Sequence, residues 1–305
     1  MSEKLVRKAI ITDAGFASRY LPITKTIPKA MLPMGNRPIM QLVIEECVQA
    51  GIEEIIIVAT PEGKPIYEDY FNNNVNRIRK QLAAQGKEDR YQPVQRVLDY
   101  PKITVITQDL SLPYGNGSPF ASAKAFVENE QAFLAIYSDD VVFGNPGAAQ
   151  TLVDTYQRYN DADAIIMVEE LPIEEITKYA VVSLKDGVYK DGQENILLNI
   201  IEKPSVEEAQ TNLASYGRYL LTPAIFEYLT VNDIGKDGEL WTVDAISRLN
   251  QSGKKVLVVK NNSKWMTTGD PENYFKAHLR FVMENEKYGD KVQKWVEEIS
   301  SSIVK

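Results

Sequence analysis

The sequence has one cysteine, Cys47, and one histidine, His278. One cysteine cannot close a disulfide within the chain, which favours a reducing compartment. One of each cannot assemble a Cys/His zinc site. A Ser–His–Asp arrangement would have to run through His278 alone. Positive charge is also in deficit. Lys and Arg number 34 against 42 Asp and Glu, a net charge of −8, and that is a poor footprint for nucleic acid. No uncharged apolar run reaches about 18 residues, so no membrane span is expected. The charged stretch Met1–Lys8 lacks the pattern of a secretory leader. These absences predict a cytoplasmic protein without nucleic-acid or membrane partners. Its chemistry would rest on carboxylates, lysines, backbone groups and a hard metal.

What is present is ordinary for a packed protein: 44% hydrophobic and 25% charged residues over 305 positions. The first half alternates strand-like and helix-like segments. Lys8–Thr12 is a short apolar run broken by Asp13-Ala14-Gly15. Ile39, Leu42, Val43, Cys47 and Val48 follow a helical spacing, and Gly51 stands where a C-cap belongs. Ile55–Ala59 suits a strand buried on both faces. Lys102–Thr107 and Ala132–Tyr137 read as strands, with a helix over Ser118–Val127 between them. Such alternation argues for parallel strands with crossover helices.

Glu62–Asp99 is polar and predicts one or two amphipathic helices and a loop. Beyond it, strands are expected near Ala164–Val168, Ala180–Leu184, Ile196–Glu202 and Ser215–Leu221. Pro271–Val304 reads as helical. No repeat or linker stands out. The expectation is a single α/β domain over 1–305, with a Rossmann-like, mixed, mostly parallel sheet flanked by helices. Its first half would span about 1–145, with the helical insertion near 62–99, and its second half about 146–305.

The most informative segment is Ile11–Met34, ITDAGFASRYLPITKTIPKAMLPM. A strand ends, a glycine-bearing loop follows, and Arg19, Lys25 and Lys29 come close behind. Ligands of parallel sheets bind beyond the carboxyl ends of the strands. A loop there can offer N–H groups to phosphates. Arginine can fork two phosphate oxygens, and lysine supplies a compact charge. Taken alone, three cations after a strand end are more often solvated surface.

Ala14 to Pro33 resembles the signature A-G-x-G-T-R-x-x-P-x-T-K-x-x-P-K-x-M-L-P of the sugar-1-phosphate nucleotidyltransferases. Within them the chain is most similar to the bacterial branch that uses UTP and glucose-1-phosphate. The resemblance continues through Gln108, Tyr114-Gly115-Asn116-Gly117, Ser138-Asp139-Asp140, Lys178-Tyr179-Ala180, Glu202-Lys203-Pro204, Asn212-Leu213-Ala214, Gly217-Arg218-Tyr219, Gly238-Glu239-Leu240 and Asp244-Ala245-Ile246. It implies that a sugar-1-phosphate oxygen attacks the α-phosphorus of a nucleoside triphosphate and pyrophosphate leaves. The products would be UDP-glucose and pyrophosphate. By the same resemblance, Ala14, Gly15, Phe16, Ala17 and Ser18 hold the nucleotide, with Arg19 and Lys29 as the catalytic cations. Gln108 and Gly115 would read the base, Ala180, Glu202 and Lys203 the sugar phosphate, and Asp139 would hold Mg²⁺. A homodimer or homotetramer is implied as well. Cys47 and His278 read as structural; Trp241 and Trp265 could stack on a ligand, with packing the favoured reading.

The pattern breaks at functional positions. Ala17 replaces the second glycine of the loop, Ser18 a threonine, Ala30 an acid, Ser118 a histidine and Ala180 a glycine. Thr267 stands where the family's late D-x-G motif has its metal-binding aspartate. Asp13, unusual just before the loop, is a candidate for the missing carboxylate. Two readings follow: an active nucleotidyltransferase, or a catalytically weakened paralogue that binds nucleotide or sugar nucleotide in a regulatory or assembly role.

Overall fold

The computed structural model describes residues 5–303. The first strand, β1 (Val6–Asp13), leads into the glycine-bearing loop. A small hairpin follows, β2 (Pro33–Met34) and β3 (Arg37–Pro38), then α1 (Ile39–Gln49) and β4 (Glu54–Ala59). The insertion folds as α2 (Lys64–Asn72), α3 (Asn76–Ala84) and α4 (Gln92–Leu98), one helix more than expected. Next come β5 (Lys102–Thr107), α5 (Ser118–Ser122), α6 (Lys124–Val127) and β6 (Ala132–Tyr137).

The second half contains β7 (Asp140–Phe143), α7 (Ala148–Arg158), β8 (Ala164–Glu170), β9 (Ala180–Leu184), β10 (Leu197–Glu202) and β11 (Leu213–Leu221). It ends with α8 (Thr242–Gln251), β12 (Val256–Lys260), β13 (Lys264–Thr267), α9 (Pro271–Met283) and α10 (Gly289–Ile303).

One nine-stranded mixed sheet carries both halves, in the order β10-β9-β11-β6-β1-β4-β5, with β8 on β11 and β12 on β8. β1 pairs in parallel with β4 and β6, and β4 with β5. β11 runs antiparallel to β6, β8 and β9. Neighbouring residues of a strand feed opposite cores: Ile11, Ile57 and Ile136 pack on one face, and Ile10, Ile56 and Ala135 on the other. That is why these strands read as unbroken apolar runs. Each fully buried Ile or Leu is worth about 1.5–3 kcal/mol. The apolar stripe of α1, with Ile39, Met40, Val43, Ile44 and Cys47 buried, covers the first face.

Two helical expectations need correction. The helix expected over Ser118–Val127 is interrupted at Ala123. The helix expected over Pro271–Val304 is interrupted between Glu284 and Tyr288, giving α9 and α10, and Val304 lies outside the described residues. Gly289 sits against the Met283 carbonyl, where a Cβ would collide, so the break is built into the packing. The ribbon of β7 and β13, the helices α7 and α8 and the strand β12 are not among the elements expected from the sequence. The ribbon is short and pairs segments distant in sequence.

Candidate active site

The carboxyl ends of β1, β4, β5 and β6 lie side by side. Asp13 pairs in register with Ala59, the Ser138 N–H donates to the Thr12 carbonyl at 3.2 Å, and the Gln108 N–H donates to the Ala59 carbonyl at 3.0 Å. A cavity of about 540 Å³ opens beyond these ends. Ala14, Gly15, Phe16, Ala17, Lys29, Gln108, Gly115 and Asp139 all line it. Ser18, Arg19, Ala180, Glu202 and Lys203 do not.

The loop after β1 makes a left-handed turn at Ala17, where the family signature has a glycine. Ala17 adopts φ 45°, ψ 43°, the left-handed conformation that glycine would enter freely. For an alanine this costs on the order of 1–2 kcal/mol, so packing around the loop enforces it. The Tyr20 N–H and the Thr24 hydroxyl both donate to the Ala17 carbonyl at 3.0 Å. Arg19 projects to the surface and donates to the Gly269 carbonyl at 3.3 Å.

Lys29 comes from a single 3₁₀ turn, Lys29–Met31. Its Nζ donates to Asp139 Oδ2 at 2.7 Å. Burial works against the ammonium, but Asp139 and Asp13 outweigh it and raise its pKa. Burial would likewise lift the Asp139 carboxyl, but the charge and hydrogen bond of Lys29 hold it below the usual range. About a third of the Asp139 side chain remains open (34%) against 13% for Lys29. The cluster is charged at neutral pH and faces the cavity.

Asp13 closes the cluster from below. Its carboxylate accepts hydrogen bonds from the hydroxyls of Tyr67, on α2, and Ser138. Burial pushes its pKa up, with Lys29 and both hydrogen bonds opposing. The insertion therefore reaches the floor of the cavity through Tyr67. Nothing in the sequence signals that contact, because Tyr67 sits in a polar segment 54 positions away.

The donors around Asp139 are oxygens: Asp139 itself, Asp13 and the Thr267 hydroxyl. Thr267 Oγ1 accepts from the Gly269 N–H at 3.1 Å, and the Thr268 N–H and hydroxyl both donate to the Asp139 carbonyl at 2.6 and 2.9 Å. The Thr267–Gly269 segment thus reaches Asp139, but with a neutral side chain. Among the described residues no cluster of three or more His, Cys, Asp or Glu is arranged to hold a metal. An oxygen-only set with one open carboxylate fits a small hard cation that takes its other ligands from phosphates and water.

The residues matched to the sugar side lie together next to this cavity. Ala180 and Glu202 are register partners across β9 and β10. Lys203 follows, with φ 45°, and its N–H donates to the Tyr179 carbonyl at 3.1 Å. Its ammonium lies 4.9 Å from the ring centre of Trp241, and Trp241 lines the cavity. Trp241 therefore stands at the junction of the two groups. Trp265 does pack, stacked on Tyr216 with its Nε1–H donated to Asp140 Oδ1 at 2.8 Å. Cys47 is buried, and His278 Nε2 accepts from the Gly35 N–H at 3.3 Å. A larger cavity, about 880 Å³, lies between the insertion, α1 and the C-terminal helices, and holds none of these residues.

Comparison with known proteins finds relatives over nearly the whole chain. The Nucleotidyl transferase family profile matches residues 8–283. The UTP–glucose-1-phosphate uridylyltransferase of Bacillus subtilis (strain 168) is 34% identical over 294 residues, covering 96% of this chain and 97% of the relative. That of Staphylococcus haemolyticus (strain JCSC1435) is 33% identical over 296 residues, 97% and 99% of the two chains. Among solved structures, the UTP-bound UGPase from Acinetobacter baumannii superposes with a TM-score of 0.85 at 28% identity, covering 96% of this chain and 99% of that one. A UDP-glucose pyrophosphorylase complexed with UDP-glucose gives a TM-score of 0.79 at 29% identity, 92% and 100% covered.

Proposed function

This chain belongs to the nucleotidyl transferase family, and from that premise we propose that it makes UDP-glucose and pyrophosphate from UTP and glucose-1-phosphate. The observation that carries this reading is the Lys29–Asp139 pair at the floor of a cavity framed by the loop after β1. Phosphoryl transfer of this type needs alignment and charge neutralisation more than covalent help. Lys29 sits where it neutralises charge on the α-phosphate and the departing pyrophosphate. Backbone groups of Ala14–Ser18 and the Arg19 guanidinium hold the triphosphate chain. Gln108 and Gly115 read the base. Glu202 binds sugar hydroxyls beside Ala180, and Lys203 takes the sugar phosphate after swinging from Trp241.

Enzymes of this family generally use a divalent metal. Here Mg²⁺ is the proposed ion, held by Asp139 with Asp13 beside it. When bound it would neutralise phosphate oxygens. The division into a nucleotide half and a sugar half, a homodimer or homotetramer, and a cytoplasmic location complete the reading. Among the described residues no helix is long and apolar enough to cross a membrane. The weakened-paralogue alternative is not favoured, because the relatives matched over nearly the whole chain are uridylyltransferases and the Lys29–Asp139 pair is in place.

The test is pyrophosphate release with Mg²⁺ over a panel of nucleoside triphosphates and sugar-1-phosphates. Turnover should be highest with UTP and glucose-1-phosphate. Binding of UTP or UDP-glucose without turnover of any pair would overturn the reading in favour of the paralogue.

A further inference from the structure

The floor of the cavity carries two carboxylates and one ammonium. β1 and β6 are neighbours, with Thr12 paired to Tyr137, so Asp13 and Asp139 leave adjacent strand ends. Both line the cavity. Among the described residues the one ion pair at this cluster joins Lys29 to Asp139. Asp13 is held instead by the hydroxyls of Tyr67 and Ser138, one on each oxygen. Both donors are neutral, and both are sealed, at 0% and 2% exposure. Neutral donors aim a carboxylate without cancelling its charge, and each oxygen keeps a lone pair for a further partner. The Thr267 hydroxyl, 3.5 Å from the Asp139 carbonyl, adds no charge of its own.

Tyr67 is anchored by the helix that carries it. Lys64, at the start of α2, donates to the Val105 carbonyl of β5 at 3.0 Å. Gly63, just before α2, lies against Pro28, where an added Cβ would meet the proline ring at 3.2 Å. Pro28 precedes Lys29. The start of the insertion therefore touches both the turn that supplies the ammonium and the carboxylate beneath it.

We propose that Tyr67 is a positioning residue: it aims Asp13 so that Asp13 and Asp139 together seat the divalent cation, making up for the neutral Thr267. This rests on the reading that the cluster takes such an ion, and it gives the insertion a part in the site that the family resemblance does not supply. The negative charge in excess at the cluster attracts a dication, whose remaining ligands are phosphate and water oxygens.

Mn²⁺ titrated into the metal-free full chain, with the free ion read by electron paramagnetic resonance, tests the assignment. Tyr67→Phe keeps the ring and removes only the hydroxyl. It should weaken Mn²⁺ about 10–100-fold, the usual cost of losing a partner behind a metal ligand. Asp13→Asn should weaken it at least as much. Adding Tyr67→Phe to Asp13→Asn should cost nothing further, because the two act as one unit. UTP binding by Tyr67→Phe in chelator should stay at the wild-type level. Wild-type Mn²⁺ affinity in Tyr67→Phe or in Asp13→Asn would overturn the assignment and leave the nucleotide reading standing. A further loss in the double variant, or an equal loss of metal-free UTP binding, would overturn it as well, since Tyr67 would then act through packing. A wild-type chain that binds no Mn²⁺ would overturn the metal reading and the role of Tyr67 with it, and pyrophosphate release would then judge the nucleotide reading by itself.

Discussion

Two cation–carboxylate pairs lie close together in this protein and are built in opposite ways. Arg218 and Glu46 are sealed, with side-chain exposures of 0% and 8%. Arg218 holds both Glu46 oxygens at 2.9–3.2 Å and the carbonyls of Tyr137, Gly217 and Asp140 at 2.6–3.0 Å. Glu46 Oε1 also takes the Ala149 N–H at 2.9 Å. Lys29 and Asp139 meet at a single 2.7 Å contact at the edge of a cavity. The first pair has spent its hydrogen bonds on the fold and ties α1, β6, β7 and β11 together. The second keeps ammonium protons and carboxylate lone pairs for something else. The difference shows that burial and charge alone do not mark a site, whereas unused bonding capacity does.

Breaking the sealed pair should have the largest effect. Arg218→Met strands a buried Glu46 and should cost about 3–5 kcal/mol of stability, read as a lower denaturation midpoint. The double variant Arg218→Met, Glu46→Leu should recover part of that loss. If Arg218→Met unfolds at the wild-type midpoint, the sealed pair is not structural and the contrast fails. Breaking the open pair should do the reverse. Lys29→Met should lower kcat by about 10²–10³-fold, on the order of 2.7–4 kcal/mol of transition-state stabilisation, with a near-normal midpoint. A Lys29→Met enzyme with wild-type turnover would remove Lys29 from the chemistry.

A smaller change sharpens the open pair. Thr267→Asp places a second carboxylate beside Asp139, so it should tighten Mg²⁺ binding by about tenfold and lower stability slightly when the metal is chelated. Unchanged metal titrations in the presence of UTP would mean that the Thr267 segment does not face the ion. The smallest effect concerns a half-buried group paired with a backbone amide instead of a charge. Burial lowers the His278 pKa below 6.5. The unfolded chain then takes the proton first as pH falls. The contribution of His278 is therefore complete above about pH 6.5 and is lost as pH falls below it. His278→Gln should flatten the stability curve between about pH 5 and 7 by a fraction of a kcal/mol. A curve with the wild-type slope would show that another group titrates there.

Much of the first half of the chain was legible without coordinates. Ile55–Ala59 and Ala132–Tyr137 are strands buried on both faces, and a β-branched or apolar run is the local record of that environment. The loop from Ala14 to Pro33 was legible for a related reason, since a turn of this kind draws its residues from one short stretch. The Asp139 neighbourhood was legible only in part. Its partner motif at Thr267 was found in the right place, but the β7–β13 ribbon that delivers it was not. For Trp241 packing and ligand stacking both stood open, because apolarity records burial and says nothing of which wall a ring forms.

By itself the sequence determined the parallel core, the position of the loop beyond β1, and the cations that loop carries, because periodicity and turn chemistry act over a few residues. Only the tertiary structure decided which charges meet. Tyr67 reaches Asp13, Lys29 reaches Asp139 and Arg218 reaches Glu46 across 54, 110 and 172 positions of chain. Contacts at such separations are fixed by how the sheet orders its strands, and no local pattern encodes that order. The same holds for the openness of the Lys29–Asp139 pair, which depends on what the rest of the fold leaves uncovered.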